Sequence, residues 1–189
     1  MQKKISTPQT RIGTPTMQSV NPSVNSDEIT ELHFLIHYSY YLEIMRERLF
    51  SRLDKLVLYV QFMLASWVIA SMPYSVLVGL LLILLAAIQF SYQYGTAASQ
   101  SKNQAAKYKA LRYELPRLTA QAIRQQLHVI EETDPPEVGA LCLPAYWRTC
   151  IRLDHADLNN RMETLSRWQK IIAWLAGDLP TKPPHFLTQ

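Results

Sequence analysis

Apolar residues recur every three or four positions from residue 27 to 55. Leu32, Ile36, Leu42, Met45, Leu49, Leu53 and Leu56 fall near one stripe, the mark of a helix with one face to bury. The polar positions then disappear. Between Lys55 and Lys102 lie 46 consecutive residues without Asp, Glu, Lys or Arg. At the chain's 18% charge content, random placement gives such a gap at a given site with odds of roughly one in ten thousand. The gap divides at Met72-Pro73-Tyr74. Leu56 to Ser71 precedes the break, and Ser75 to Tyr94 follows it.

A helix needs about 20 residues to cross the hydrocarbon of a bilayer. The second run meets this. The first is short and carries Gln61 and Ser66, and it suffices only if Met72 and the stem of Lys55 are counted. Pro73 lacks an N–H and pushes its predecessor out of helical geometry, so a turn of a few residues joins two antiparallel spans. The expected layout is transmembrane helix 56–72, an external turn at 73–74, and transmembrane helix 75–95. A buried soluble hairpin is the weaker alternative, because a 189-residue protein seldom hides 46 uncharged residues. Neither run reads as a cleaved signal, since the first begins after residue 55.

The flanks predict orientation. Arg46, Arg48, Arg52 and Lys55 precede the first span, and Lys102, Lys107, Lys109 and Arg112 follow the second. The turn has no charge. The positive-inside rule keeps both flanks, and hence both termini, in the cytoplasm. Trp67, Tyr74, Tyr92 and Tyr94 suit the interface. Cys142 and Cys150 are then expected as free thiols in a reducing compartment.

Prolines mark the remaining boundaries. Residues 1–26 hold Pro8, Pro15 and Pro22 in a Ser, Thr, Gln and Asn-rich stretch and read as a flexible tail. Asn25 and Ser26 are N-cap candidates for a cytoplasmic helix over 27–55 that continues into the bilayer. A second cytoplasmic helix is expected over 96–133, with Tyr108, Leu111, Leu115, Leu118 and Ala122 in register and a kink near Pro116. A loop at 134–144 and a single helix over 145–177 follow, then a tail at 178–189. In that last helix Ile151, Leu158, Leu165 and Ile172 are seven apart, with His155, Met162, Trp168 and Leu175 between them. This resembles a coiled-coil seam and must be buried in a bundle or an oligomer. The predicted fold class is an all-α membrane protein, a two-helix hairpin continuous with a cytoplasmic three-helix bundle.

Composition narrows the classes. The 48% hydrophobic content excludes a disordered chain, two cysteines exclude a disulfide scaffold, and five glycines argue against a turn-rich β fold. The mean hydropathy of -0.07 is only an average over two different solvents. The net charge of +4 calls for no nucleic acid, and basic residues beside a membrane suit anionic headgroups.

Enzyme chemistry finds little purchase. His33 and His37 are four apart but lack a matching acid or cysteine, so a metal site is not expected. Asp154, His155 and Asp157 sit in or beside the seam, where a histidine more often sets register than catalyses. There is no nucleophile motif, no phosphate-binding loop and no CxxC pair, so neither a catalytic function nor a cofactor is expected. Arg148 and Arg152 share a helix face and read as solvated charge. Inside the spans, Gln61, Ser66 and Gln89 are candidates for pore-lining or inter-helix hydrogen bonds. Ser66 with Ala70, and Ser75 with Gly79, give small-residue spacings that allow close packing. No span carries an ionisable group, which argues against proton coupling. Two helices enclose no conduit, so a pore would need several copies.

Four segments together resemble the SLATT family, bacterial two-span membrane proteins associated with nucleotide-signalling conflict systems. They are the incoming HYSYYLEIMRERLFSRLDKL, the MPYS turn, the outgoing KNQAAKYKALRYELPRL, and the later DPPEVGALCLPAYWRTC. The likeness covers about residues 30–175 and lies in organisation more than identities. It implies an oligomeric inner-membrane effector of antiphage defence, pore-forming or membrane-disrupting. It also implies a trigger from a cytoplasmic sensor protein or nucleotide signal. A holin-like or exclusion protein and a non-pore scaffold docking a cytoplasmic partner are the alternatives.

Overall fold

The computed structural model describes residues 22–70, 73–154 and 165–178, with side chains from Asp27 onward. The chain is all-helical, with no strand among the described residues. Helix α1 runs without interruption over Pro22–Ile69. No proline or glycine lies between Ser23 and Ile69, so nothing breaks its hydrogen-bond ladder over about 70 Å. The continuous helix expected from the cytoplasmic stripe into the apolar run is therefore present.

From Pro73 the chain returns alongside α1. Tyr74 adopts a left-handed conformation (φ 67°) and leads into α2, Ser75–Tyr92. Gln93, also left-handed (φ 45°), separates α2 from α3, Tyr94–Glu114. Contacts step down α1 as they step along α2 and α3. The Trp67 indole donates to the Pro73 carbonyl at 3.2 Å. Gln89 donates to Asp54 at 3.3 Å. The Phe50 and Tyr94 rings lie 6.1 Å apart, and the Arg112 guanidinium sits 4.4 Å over the Tyr40 ring. The two long arms thus form one antiparallel helical hairpin.

The segment expected as one kinked helix over 96–133 is instead two helices. Pro116 falls in a short 3-10 turn, Leu115–Arg117, and Leu118 is extended. Thr119 then caps α4, Ala120–Glu131, accepting from the Ala122 N–H. Helix α4 folds back on α3, so that the Gln104 amide reaches the Ile130 carbonyl at 2.6 Å. The reversal is held by a cluster of Leu32, Ile36, Tyr108, Leu111, Leu115, Ile123 and Leu127. Each such aliphatic side chain, once buried, contributes about 1.5–3 kcal/mol, enough to outweigh a straight continuation past a proline.

The single helix expected over 145–177 is also divided. Helix α5, Gly139–Leu153, starts ahead of Pro144, which lies inside it. Leu141, Pro144 and Ala145 are all buried, and Leu141 and Ala145 pack with Leu42, Met45 and Leu49 of α1. That packing overrides the proline. Asp154, left-handed at φ 53°, ends α5. Helix α6, Arg167–Leu175, begins afresh at a capping box in which Ser166 and Gln169 satisfy each other's backbone N–H. Among the described residues, the bundle end therefore draws on five α-helices, α1 and α3 to α6, where three were expected.

Candidate functional site

The apolar end of the hairpin is the most unusual surface of the molecule. None of the residues of α2 is buried. At the same end of the molecule, Phe62, Met63 and Ile69 of α1 are 70–83% exposed. One stretch, Ser75–Arg117, is long and apolar enough to cross a membrane among the described residues. The apolar end of α1, Leu56–Ile69, does not reach that length before its helix stops, and a longer window takes in Arg52, Asp54 and Lys55.

Polar groups in this region are placed as follows. Ser66 is exposed, and its hydroxyl donates to the Phe62 carbonyl in the preceding turn at 2.9 Å. Gln89 is used within the hairpin, as the partner of Asp54. Gln61 is half-buried, and its amide nitrogen has no hydrogen-bond partner. Ala70 is exposed and Ser75 half-buried. A methyl group added at Gly79 would meet nothing within 4 Å. The space beside Gly79 is therefore open.

The basic flank is not a uniform collar. Arg46 is buried against Glu43, 3.9 Å away, with its guanidinium 5.5 Å from the Phe50 ring centre. Arg52 donates to the Trp174 and Leu175 carbonyls at 3.1 and 2.9 Å, closing the C-terminus of α6. Lys107 donates to Thr133, and Arg112 covers Tyr40. Lys55 is exposed. Arg48, Lys102 and Lys109 line an open groove of about 260 Å³ with Tyr40 and Glu47.

The seam residues separate. Ile172 packs into the core around Met45, whereas Ile151 and Leu165 are half-buried and Trp168 is 75% exposed. His155, Leu158 and Met162 lie outside the described residues. Arg148, read as solvated, pairs with Asp178 at 3.2 Å. The His37 Nδ1–H donates to the His33 carbonyl at 2.8 Å, and burial lowers the His37 pKa. Cys142 and Cys150 are free thiols, and burial pushes the Cys150 thiol up.

Several polar side chains that hold the bundle escaped the periodicity. Asp134 receives Gln104 and, at 2.5 Å, the hydroxyl of the fully buried Tyr108. Burial and then this bond raise the Tyr108 pKa. Glu43, one turn from Arg46, is 4% exposed, and burial raises its carboxyl above the usual range. The only signal for Asp134 was its place before Pro135-Pro136, where a helix has just ended. No family model, no curated protein and no solved structure matches this chain.

Proposed function

We propose that the chain is an oligomeric inner-membrane effector. In this reading α2 and the apolar end of α1 cross the membrane of a bacterial cell, with both termini cytoplasmic. Several copies assemble, and the assembly breaches the membrane when the cytoplasmic helices receive a signal. The SLATT-like organisation suggests a role in antiphage conflict and a sensor protein or nucleotide as trigger.

The observation that carries the reading is the apolar end itself. A continuous apolar surface around two paired helices exceeds what soluble monomers tolerate, and hydrocarbon is the solvent that suits it. Assembly is supported by Gln61, whose amide has no partner within the chain, and by the open surface at Gly79. An amide in lipid seeks a partner on another helix, and small residues let a second backbone approach.

The test is induced expression of the full chain in bacteria under phage challenge, which supplies the proposed trigger, with a potential-sensitive dye and a membrane-impermeant nucleic-acid stain. Loss of potential and entry of the stain are expected, and both should weaken with Gln61→Leu. Intact potential and dye exclusion at every expression level, with the chain in the membrane fraction, would contradict the effector reading. A scaffold is the second reading. It is favoured by α6, whose Trp168, Ile171 and Trp174 present an exposed apolar face beside the core. Stoichiometric capture of one soluble protein by a non-conducting monomer would support it instead.

A further inference from the structure

Helix α6 is held at one level of the hairpin, and that level decides what its exposed face meets. The Arg52 guanidinium donates to the Trp174 and Leu175 carbonyls at the end of α6. Leu56, where the charge-free run begins, lies one turn further along the uninterrupted α1, about 6 Å away. The headgroup layer of a bilayer is roughly 5–8 Å deep on each side. With α1 entering the membrane at Leu56, Arg52 and the end of α6 stand within that layer. The returning arm marks the same level. Tyr92 is exposed and stacks on Tyr94, whose ring lies 6.1 Å from Phe50. Tyrosine and tryptophan concentrate at membrane–water interfaces. We propose that α6 is a membrane-surface helix whose outer face docks on the anionic headgroups of the leaflet that α1 enters. The inference rests on the membrane reading of the apolar end.

The two faces of α6 differ in kind. Ile172 and Leu175 pack beside the cluster around Met45, and Ala173 is fully buried. Trp168, Ile171 and Trp174 recur every three residues on the other side, and all three are exposed. An indole has an apolar body and one N–H, which suits the layer between hydrocarbon and water. Arg167 and Lys170 are also exposed, and the helix carries no acidic residue. Aromatic and basic side chains on one outward face complement anionic headgroups. At nine residues α6 is about 14 Å long, so every part of it stays near the level of Arg52.

A soluble protein is the rival occupant of this face. The place of α6 beside the apolar end and its single sign of charge favour lipid. Docking would anchor the core around Met45 to the leaflet, because α6 buries Ile172 and Leu175 there. The bundle would then be held at the membrane surface by a second contact besides the hairpin.

The test uses the full chain in vesicles of equal parts phosphatidylcholine and phosphatidylglycerol. A nitroxide is attached at Ile171→Cys, at Leu84→Cys in α2, or at the exposed Glu132→Cys after α4, each in a Cys142→Ser/Cys150→Ala background. Access is measured for oxygen, which concentrates in lipid, and for a nickel chelate, which stays in water on both sides. The Leu84 label should favour oxygen and the Glu132 label nickel. Nickel access at Ile171 should be about threefold or more below that at Glu132, with oxygen access above it. Arg167→Gln/Lys170→Gln, or vesicles of phosphatidylcholine alone, should return nickel access at Ile171 towards the Glu132 value. A water-exposed Leu84 label would remove the membrane reading and this inference with it. A Leu84 label in lipid, with Ile171 as open to nickel as Glu132, would overturn this inference alone. An Ile171 label shielded from both reagents would assign the face to a protein contact and also overturn it. Lipid access at Ile171 that neither the substitutions nor the lipid change moves would overturn the assignment to anionic headgroups.

Discussion

Glu43 and Arg46 offer the sharpest test of how the helical bundle is held together. They are one turn apart on α1, and their side chains are 5% and 6% exposed. Their separation of 3.9 Å corresponds to an attraction of about 4 kcal/mol at an effective dielectric of about 20. Removing the two charges from water costs several kcal/mol for each, and three of their polar atoms have no hydrogen-bond partner. The pair as a whole is therefore near break-even, but either partner alone is not. Glu43→Gln leaves a buried guanidinium that cannot shed its proton, and should cost about 3–5 kcal/mol. Arg46→Met leaves a carboxyl that can protonate, so its cost is smaller, about 1–2 kcal/mol. The double variant should return close to wild-type stability. The pH sign follows from the raised Glu43 pKa. Its contribution is fully present below the usual carboxylate range and is lost as pH rises through the folded-state value. The Arg46→Met deficit should therefore grow between acid and neutral pH. The assay is unfolding in mild detergent followed by circular dichroism, as a double-mutant cycle at two pH values. Costs that simply add in the double variant would refute the reasoning.

Other positions make equally definite claims. Gly177 has φ +75°, and a Cβ there would lie 2.8 Å from the Arg52 guanidinium, so Gly177→Ala should cost about 1–2 kcal/mol in a melt. The same change should cost less in an Arg52→Ala background. Tyr108→Phe removes the hydroxyl that donates to Asp134 and should cost about 1.5–3 kcal/mol by the same measurement. Because the Tyr108 pKa is raised, the wild-type protein should also lose stability as pH climbs above about 10, and the Phe variant should lose less. In bilayers, Gln61→Leu should weaken association between copies by about 1 kcal/mol, read by energy transfer between labelled chains, and unchanged transfer would remove Gln61 from the contact.

The helical hairpin was legible because its two causes are local and strong. A charge-free run of 46 residues is rare in a small chain, and Pro73, which lacks an N–H, favours a break within it. The long α1 followed from the absence of breakers between Ser23 and Ile69. The fold-back at Leu115–Thr119 was half legible. Pro116 marked the place, but only the packing of Ile123 and Leu127 onto Leu32, Ile36 and Tyr108 decides between a kink and a reversal. Thr119, an N-cap three residues before Ala122, was the missed local cue. The heptad spacing after residue 145 misled for a related reason. Periodicity counts residues without regard to a left-handed Asp154 or to a capping box at Ser166, both of which interrupt the helix. The level at which α6 sits left no trace in the sequence. Trp174 follows Arg52 by 122 residues, and only the packing of Ile172 and Leu175 beside Met45 brings the two together.

The central claim is that the Pro73 turn lies on the far side of a membrane from the rest of the chain. Two single-cysteine variants, Ser75→Cys and Ser99→Cys, each in a Cys142→Ser/Cys150→Ala background, report this directly with a membrane-impermeant maleimide. The account predicts that intact spheroplasts label the Ser75→Cys variant and spare the Ser99→Cys variant, and that permeabilisation exposes both. Equal labelling of the two variants in intact spheroplasts, or protection of the Ser75→Cys variant until permeabilisation, would contradict it.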